Sequence, residues 1–371
     1  MIPNTISFSG ELLLKMRDEG ALSSETLEKI RKIADEYLEK PYYNVVASGL
    51  VAESGDAHDF ASMGPYWWPD PDKPNGLPYI RRDGEINPET QDDNVPKNMA
   101  AKAFALAIAA FYLGDDKYAK GAVRSIYDWH LNPETYMNPN AEYAQSIPGI
   151  CKGRGIGIID FCHSHKVFDA LGILRYIGAV DDEFVEKIKE WYGKFADWLL
   201  TSENGLCEDT ELNNHGTFYD VTVLSIALFT GRESLAKKIC ETAYYRRFVL
   251  QTEPDGAQPL ELARTMGMHY SLANSRGLVL IASMAAKVGY TKYWDIDDER
   301  GVCIARSTID YIYPYAKNIE SFPYMELKPH LIPEMMAHML YALDWIYPGE
   351  GYAEKVLEFE LDPIEASHPF K

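Results

Sequence analysis

Apolar residues recur at steps of three and four positions in several segments of the chain. In residues 183–200 the recurring positions are Phe184, Ile188, Trp191, Phe195 and Trp198. In residues 24–40 they are Leu27, Ile30, Ile33, Tyr37 and Leu38. Steps of this size place the apolar side chains on one face of a helix. Both segments are therefore predicted to be amphipathic helices.

Four glycines punctuate the helical pattern in a similar way. Each follows an apolar segment and precedes a short turn with Asp, Ser or Thr; they are Gly114, Gly178, Gly231 and Gly289. Glycine suits the left-handed position that ends a helix, and small polar residues suit the start of the next one. Each interval fits about two helices. We therefore predict an all-α fold, an (α/α) toroid or incomplete barrel of antiparallel helix pairs, in a single domain spanning 1–371.

Two long segments, 52–98 and 132–157, interrupt this pattern. The first contains GPYWWPDPDKPNGLPYIRRDG, and the second contains NPETYMNPNAEYAQSIPGICKGRGIG. Neither has the low hydrophobicity of a disordered linker. We expect ordered loops over one end of the helical scaffold, where binding sites are commonly placed.

The net charge of −20 disfavours nucleic acid as a partner, because phosphate binding needs basic patches. No apolar run is long enough to cross a bilayer, so we expect no membrane partner. The start of the chain lacks the basic and apolar blocks of a signal peptide. The five cysteines are widely spaced and form no CxxC pair. They are expected to be buried free thiols, not disulfides or zinc ligands.

Two amides, an imidazole and a phenol lie close together in ELNNHGTFYD, residues 211–220. They belong to Asn213, Asn214, His215 and Tyr219. Such groups suit the removal of a proton from a carbon next to a carboxylate, because the developing enolate needs its negative charge absorbed. A phenol can act as the base once deprotonated, and it can also give a proton to a leaving oxygen. With an Arg and a second Tyr, the set suits β-elimination of a uronic acid polymer.

An Arg and a Tyr occur together downstream, in ELARTMGMHYSLAN at 261–274. They are Arg264 and Tyr270. Six positions on one helix correspond to about 600° of rotation, so the two side chains would not share a face. The pair fits one site better if Arg264 lies in a loop or first turn and Tyr270 points into the cleft.

These blocks, with DFASMGPYWWPDPDKPNGLPYIRRDG and AQSIPGICKGRGIGIID upstream, resemble the alginate lyase superfamily of polysaccharide lyases. The resemblance covers roughly residues 50–345 and is greatest to polysaccharide lyase family 38. It implies a helical toroid with a substrate cleft, and cleavage of alginate or a related polyuronate such as glucuronan by β-elimination, without hydrolysis. It also implies a periplasmic or secreted protein that acts on an anionic polysaccharide. We expect a monomer that needs no cofactor.

The resemblance also implies roles for four residues. Asn214 and His215 engage the uronate carboxylate, and Arg264 lowers the pKa of the catalytic Tyr or binds the carboxylate. Tyr270 is the acid and, for mannuronate, also the base. In β-mannuronate the C5 proton and the C4 oxygen lie on the same side of the ring, so one phenol reaches both. In guluronate or glucuronate they lie on opposite sides, which would make His215 the base, and the substrate stays open.

Further residues are candidates for substrate binding. Aromatic faces suit pyranose rings, and Arg or amide groups suit carboxylates and hydroxyls. The candidates are Asn213, Gln145, Tyr66, Trp67, Arg81, Arg154 and Tyr219. The alternatives are a helix cap for Asn213, core packing for Tyr219, and a loop pinned by its own aromatics for Tyr66 and Trp67.

A metal site, a glycoside hydrolase and a non-catalytic binding protein would each need other features in the sequence. HSH at 163–165 would place its imidazoles on different helix faces, so no metal site is predicted there. A glycoside hydrolase on a helical barrel would need a pair of carboxylates; CEDTE at 207–211 and Asp56 with Asp59 offer acids, but no recognisable pair. A non-catalytic polysaccharide-binding protein would keep the aromatic loops without the convergence of Asn, His, Arg and Tyr.

Overall fold

Helices dominate both of the units into which the chain divides. The computed structural model describes residues 2–47, 50–90, 94–347 and 349–359, except the Trp345 side chain. Unit 1 comprises the chain up to Asp209 together with Thr222–Glu233. Unit 2 comprises Thr210–Val221 and the chain from Ser234 onward. The single domain over 1–371 stays a prediction.

Unit 1 combines long helices with short strands. Its helices are α1 (Gly10–Asp18), α2 (Ser24–Glu39), α3 (Val95–Leu113), α4 (Asp116–His130), α5 (Ser164–Tyr176), α6 (Asp182–Thr201) and α7 (Glu203–Asp209). Its strands are β1 (Ala61–Met63), β2 (Trp67–Trp68), β3 (Ile80–Arg81) and β4 (Tyr143–Ser146), and a 3-10 helix covers Gly155–Phe161. Helix α8 (Asn214–Thr230) starts in unit 2 and ends in unit 1.

The predicted amphipathic helices are confirmed. The segment 24–40 forms α2, which begins after Ser23, whose hydroxyl accepts a hydrogen bond from the Thr26 N–H. The segment 183–200 lies within α6, and Asp181 caps it in the same way through the Phe184 N–H. Side-chain caps satisfy backbone donors that a first helical turn leaves unpaired.

The four punctuating glycines all have positive φ angles, between 66° and 85°. Each follows the last residues of a helix, as the sequence predicts. Asp115 and Asp181 then cap the next helices. After Gly289, however, the chain forms only a 3-10 turn at Lys292–Trp294. The prediction that an α-helix follows that glycine is wrong, because the next α-helix begins at Ile304.

Helix α3 is central to the core of unit 1. It is buried from Ala103 to Phe111 on every face, and it packs against α2, α4 and α5. A helix that is apolar all round belongs in an interior.

The long segments 52–98 and 132–157 contain the strands of unit 1. β1 pairs in parallel with β4, with Ala61 opposite Tyr143. β2 pairs antiparallel with β3, with Trp67 opposite Arg81. Each strand has only two to four residues, too few to show an alternating pattern in the sequence. The ordered loops are thus tied together by strand pairs that periodicity did not predict.

Unit 2 continues with further helices. They are α9 (Glu233–Ala243), α10 (Pro259–Leu262), α11 (Gly267–Lys287), α12 (Ile304–Lys317), α13 (Ile332–Ile346) and α14 (Tyr352–Val356). A π-helix covers Tyr244–Val249, and 3-10 turns cover Lys292–Trp294, Ile319–Ser321, Pro329–Leu331 and Leu357–Phe359. Helices α11, α12, α13 and α14 share one apolar core, which includes Leu272, Ile309 and Leu340.

The cysteines partly match their prediction. All five are free; Cys162, Cys240 and Cys303 are buried, but Cys207 is exposed on α7, so its predicted burial is wrong. Within the described ranges, no helix has the length and apolar character needed to cross a bilayer.

Candidate active site

The N-terminus of α8 carries three of the predicted site residues. The Asn213 Oδ1 accepts a hydrogen bond from the His215 N–H at 2.9 Å, and the Asn213 carbonyl accepts one from Thr217 at 3.2 Å. Its Nδ2 donates to Glu211 at 3.1 Å. Asn213 therefore acts as the cap of α8, as the alternative reading of its role expects. The cap fixes the backbone that presents His215, whose side chain is partly exposed.

Asn214 is held by a buried carboxylate, that of Glu261. The Asn214 backbone N–H donates to Glu261 Oε1 at 2.5 Å, and its Nδ2 donates to both carboxylate oxygens at 3.0 and 2.9 Å. Glu261 is 1% exposed and Asn214 is 2% exposed. Burial raises the pKa of Glu261, whereas the Asn214 hydrogen bonds and the charges of His215 and Arg264 act to lower it.

Arg264 lies in the loop between α10 and α11, and Tyr270 lies in the first turn of α11. The guanidinium carbon is 4.0 Å from the centre of the Tyr270 ring. Arg264 lies outside the helix. The argument that two residues six positions apart on one helix point to different faces therefore does not apply to Arg264 and Tyr270. Arg264 thus lies in a loop, as expected from the sequence, and its cation stacks on the Tyr270 phenol.

Glu261 is the residue that links the two halves of the site. It bonds to Asn214 and interacts electrostatically with both His215 and Arg264, and Arg264 in turn stacks on Tyr270. The amide, imidazole, guanidinium and phenol predicted from two distant segments therefore converge within unit 2. Sequence reasoning missed Glu261; its only sequence signal is an acidic residue in the apolar stretch PLELA, three positions before Arg264.

His269 adjoins Tyr270, with ring centres 5.4 Å apart and planes at 86°. Burial, followed by the charges of Lys328 and Arg264, lowers the pKa of His269 to about 4. The imidazole is therefore neutral at ordinary pH. It lies beside the phenol as a neutral neighbour.

A buried ion pair supports the start of α8. Arg247, in the π-helix, bonds to Asp220 at 2.7 Å, and both side chains are fully buried. Its Nη1 also donates to the Glu211 carbonyl at 2.9 Å. A Cβ at Gly216 would lie 2.4 Å from this guanidinium, so only glycine leaves room for it. The glycine of the sequence motif NNHG is therefore needed because the Arg247 guanidinium packs closely against it.

A buried amide network connects α8 with α11. The Thr217 hydroxyl donates to Gln251 at 3.0 Å, and Asn274 on α11 donates to Gln251 and Gln258 at 2.9 and 2.7 Å. Gln258 also donates to Ser275 at 3.1 Å. Networks of this kind fix relative positions of helices. This one holds together the helices that carry His215 and Tyr270.

Unit 1 contains a second group of the predicted residues. Gln145 is 6% exposed and has a φ of 48°, rare for a residue with a side chain. Its Nε2 donates to the buried Asp160 at 2.8 Å, and its Oε1 accepts from Arg154 Nη2 at 3.0 Å. The guanidinium carbon of Arg154 lies 5.8 Å from the centre of the Trp67 ring. Gln145, Arg154 and Trp67 thus form one cluster in which Gln145 orients the cation.

The other predicted residues have different surroundings. Arg81 is exposed and forms an ion pair with Asp83 at 2.7 Å. Its charge acts on Arg154, whose pKa is lowered mainly by burial. Tyr66 is half-buried. Tyr219 is 3% exposed and lies in the interior. This burial matches the core-packing alternative for Tyr219, and its role in substrate binding stays a prediction.

The acidic and histidine side chains considered earlier for a hydrolase or a metal site do not indicate either function. Asp56 and Asp59 both accept hydrogen bonds from Asn138, at 3.0 and 2.9 Å, and so hold a loop of unit 1. His163 and His165 lie with ring centres 6.1 Å apart. Over the residues with described positions, no group of three or more His, Cys, Asp or Glu is arranged to hold a metal ion.

Comparisons with known proteins identify the family of this chain. Residues 46–322 match the family model described as alginate lyase. An alginate lyase from Bacteroides ovatus has a crystal structure that is similar with a TM-score of 0.92 and 34% identity, over 99% of this chain and 98% of that chain. A search of curated proteins found no match.

More distant structures share the fold. Alginate lyase A1-III from Sphingomonas species A1 has a TM-score of 0.56 and 15% identity, over 91% of this chain and 92% of that one. A variant of A1-III complexed with a tetrasaccharide has a TM-score of 0.56 and 14% identity, over 91% of each chain. Alginate lyases have α/α toroid folds, and the fold class predicted from the sequence is confirmed.

Proposed function

Because this chain belongs to the alginate lyase family, we propose that Asn214, His215, Arg264 and Tyr270 form the centre at which it cleaves its substrate. The chain is a polysaccharide lyase acting on alginate. The observation that carries the proposed centre is the convergence around Glu261, which bonds to Asn214 and interacts with His215 and Arg264, while Arg264 stacks on Tyr270. Family membership decides against the glycoside hydrolase and the non-catalytic alternatives.

The proposed first requirement is to absorb the charge of the uronate carboxylate. A proton on C5 becomes acidic only when the enolate that forms is stabilised by donors and cations. His215 and Arg264 supply polar and cationic groups at the partly exposed side of the site. The two N–H bonds of an amide point in different directions. Because one amide N–H can be shared between the two oxygens of a carboxylate, we propose that a single Asn214 side-chain N–H makes both contacts to Glu261 and that the other bonds to the uronate carboxylate.

Tyr270 is proposed to transfer the protons. The phenolate takes the C5 proton, the electron pair of that bond forms the C4–C5 double bond, and the C4–O bond breaks. The phenol then returns the proton to the leaving C4 oxygen. Arg264, 4.0 Å from the ring centre, stabilises the negative charge on the phenolate. One residue serves both steps only when the proton and oxygen lie on the same ring face, which favours mannuronate.

For guluronate or glucuronate we propose a different division of roles. The proton and the leaving oxygen then lie on opposite faces, so His215 would take the proton and Tyr270 would give one. Polymannuronate is the proposed preferred substrate, because Arg264 stacks on Tyr270 and thereby supports its action as base.

A comparison of two proteins on defined polymers tests the proposal. Wild type and Tyr270→Phe are incubated with polymannuronate, polyguluronate and glucuronan, and the unsaturated product is followed by ultraviolet absorbance. We expect product from wild type, mostly on polymannuronate, and a loss of at least about 10³-fold in kcat for Tyr270→Phe. Retention of wild-type kcat by the variant would refute the role of Tyr270.

We also propose that the enzyme is monomeric and is periplasmic or secreted, where a polysaccharide substrate is accessible. Light scattering of the purified protein measures its mass in solution. Cell fractionation of the native source measures its location. A stable dimer, or a purely cytosolic distribution, would contradict these two proposals.

A further inference from the structure

A short segment of unit 2, residues 325–328, lies alongside the loop that connects Arg264 to Tyr270. Met266 and Glu326 form an antiparallel bridge. The Gly267 N–H donates to the Met325 carbonyl at 2.9 Å, and the Leu327 N–H donates to the Thr265 carbonyl at 3.1 Å. Because backbone bonds lie on both sides of the bridge, the register of this segment against the loop is fixed.

The Glu326 carboxylate ties the same segment to the start of α11. One oxygen accepts the His269 N–H at 3.0 Å, and the other accepts the Lys328 N–H at 2.9 Å. Both bonds are charge-assisted, which makes them stronger than neutral ones. The backbone of Lys328 is therefore anchored, through one side chain, to the residue that directly precedes Tyr270.

The positive charge of Lys328 acts on His269, the residue directly before Tyr270. Its positive charge acts on His269 more strongly than that of Arg264 does, although burial has the largest effect. The His269 ring in turn contacts the Tyr270 ring edge to face. Two cations from different segments, Arg264 and Lys328, thus act on His269, and Arg264 also stacks on Tyr270.

Lys328 is half-buried, and no carboxylate of the described residues lies within ion-pairing distance of its ammonium group. Holding a cation in a partly desolvated position without a counter-ion is unfavourable. A protein with a net charge of −20 also repels a polyanion unless cations are placed locally. The lack of a carboxylate partner and the negative net charge both favour a lysine that pairs with a carboxylate of the bound substrate.

We propose that Lys328 is a specificity-determining residue, which binds the carboxylate of the uronate next to the one that loses its C5 proton. The inference rests on the proposed function. The carboxylate of the reacting sugar already has Asn214, His215 and Arg264. A polyuronate carries a carboxylate on every sugar, and a flexible ammonium group can meet the neighbouring one as a point charge. Glu326 is the positioning residue that holds Lys328 at this subsite.

The test compares Lys328→Met with Lys237→Met, since Lys237 is an exposed lysine of α9 in the same unit. Both changes remove one positive charge from the protein. On long polymannuronate we expect Lys328→Met to raise KM by about tenfold and to leave kcat within about twofold, because a contact that is equal in ground and transition states affects KM alone. Lys237→Met should match wild type, and Lys328→Arg should recover most of the loss.

Salt and substrate length add two independent readouts. The rise of KM with salt should be weaker in Lys328→Met than in wild type, since one charge contact has gone. The defect should also disappear with the shortest substrate that is cleaved, if that substrate leaves the neighbouring subsite empty. Circular dichroism and thermal unfolding check that the variant is folded.

Three results would overturn the inference. They are a KM equal to that of Lys237→Met, an equal loss of kcat and kcat/KM, and a defect that is the same for every substrate length. The second result would mean that Lys328 acts on the chemical step. Failure of the proposed function would look different, because Tyr270→Phe would then keep its turnover whatever Lys328→Met does.

Discussion

Glu261 can be tested by the substitution Glu261→Gln, which keeps the shape of the side chain and removes its charge. In the wild type, its two carboxylate oxygens accept three hydrogen bonds from Asn214, one from the backbone and two from Nδ2. A glutamine keeps one accepting oxygen, but it turns an NH2 group towards the Asn214 donors. The Asn214 amide must then rotate away, and its orientation towards the substrate is lost.

The size of the effect follows from the contacts. A hydrogen bond to a charged group contributes about 1.5–3 kcal/mol. Removing a buried charge offsets part of that loss, because the charge was costly to desolvate. We therefore expect the free energy of unfolding to fall by about 1–2 kcal/mol. Removing a transition-state donor outright costs roughly 10²–10³ in kcat, and misorienting one costs less, so we expect a decrease of about 10- to 100-fold.

The stability difference should also depend on pH. Burial raises the pKa of Glu261 above its ordinary value of 4.5. The folded state therefore holds this proton more tightly than the unfolded state does, and the wild type loses stability as pH rises from about 4.5 through the raised pKa. The glutamine cannot titrate. The stability deficit of Glu261→Gln should thus be largest in acid and shrink as pH increases.

The assays are the absorbance of unsaturated product on polymannuronate and urea unfolding across the pH range. The control is Glu253→Gln, an exposed glutamate of the same unit. A variant with wild-type kcat would show that Glu261 does not orient the site. A deficit that grows with pH would show that the direction of the pKa shift is wrong.

Three further predictions concern stability and binding. Asp220→Asn should lower the free energy of unfolding by about 3–5 kcal/mol, because the buried Arg247 guanidinium would lose the carboxylate it bonds to. Asp197→Asn, at an exposed ion pair, should cost less than about 1 kcal/mol, and urea unfolding measures both. Gly216→Ala should cost more than about 2 kcal/mol in the same measurement, since its Cβ would lie 2.0 Å from a backbone oxygen and 2.4 Å from Arg247; equal stability would contradict the packing. If Arg154 binds substrate as predicted, Arg154→Met should raise KM on polymannuronate by about tenfold with little change in kcat, and an unchanged KM would contradict that prediction.

The helices were predictable because their signals are local. The apolar spacing of α2 and α6 and the cap residues Ser23 and Asp181 are all contained within the helices or directly before them. The pairing of β1 with β4 joins residues that are about eighty positions apart in the sequence, Ala61 and Tyr143. Strand partners at that distance leave no periodic trace, so the loops of unit 1 were predicted as ordered but without strands.

The reactive groups of the candidate site were predictable from the sequence, but the residues that hold them in position were not. The Asn-His block and the Arg and Tyr downstream are recognisable in the sequence as reactive groups. The carboxylate that joins them is not recognisable there. Glu261 reads as an ordinary helical glutamate, and only its burial shows that it bonds to Asn214. Tyr219 is the opposite case. It belongs to the same sequence block as His215, but its side chain lies in the core. Burial depends on tertiary packing, which a single sequence does not reveal.

The π-helix at Tyr244–Val249 makes the fold sensitive to insertions and deletions at one place. Such a turn holds about one residue more than an α-helical turn, and Arg247 lies within it. Removing a single residue there would restore the usual winding and change the position of Arg247 within the turn. Arg247 would then miss Asp220. A natural or engineered variant that shortens this segment must therefore find another counter-ion for the start of α8, or lose the site it supports.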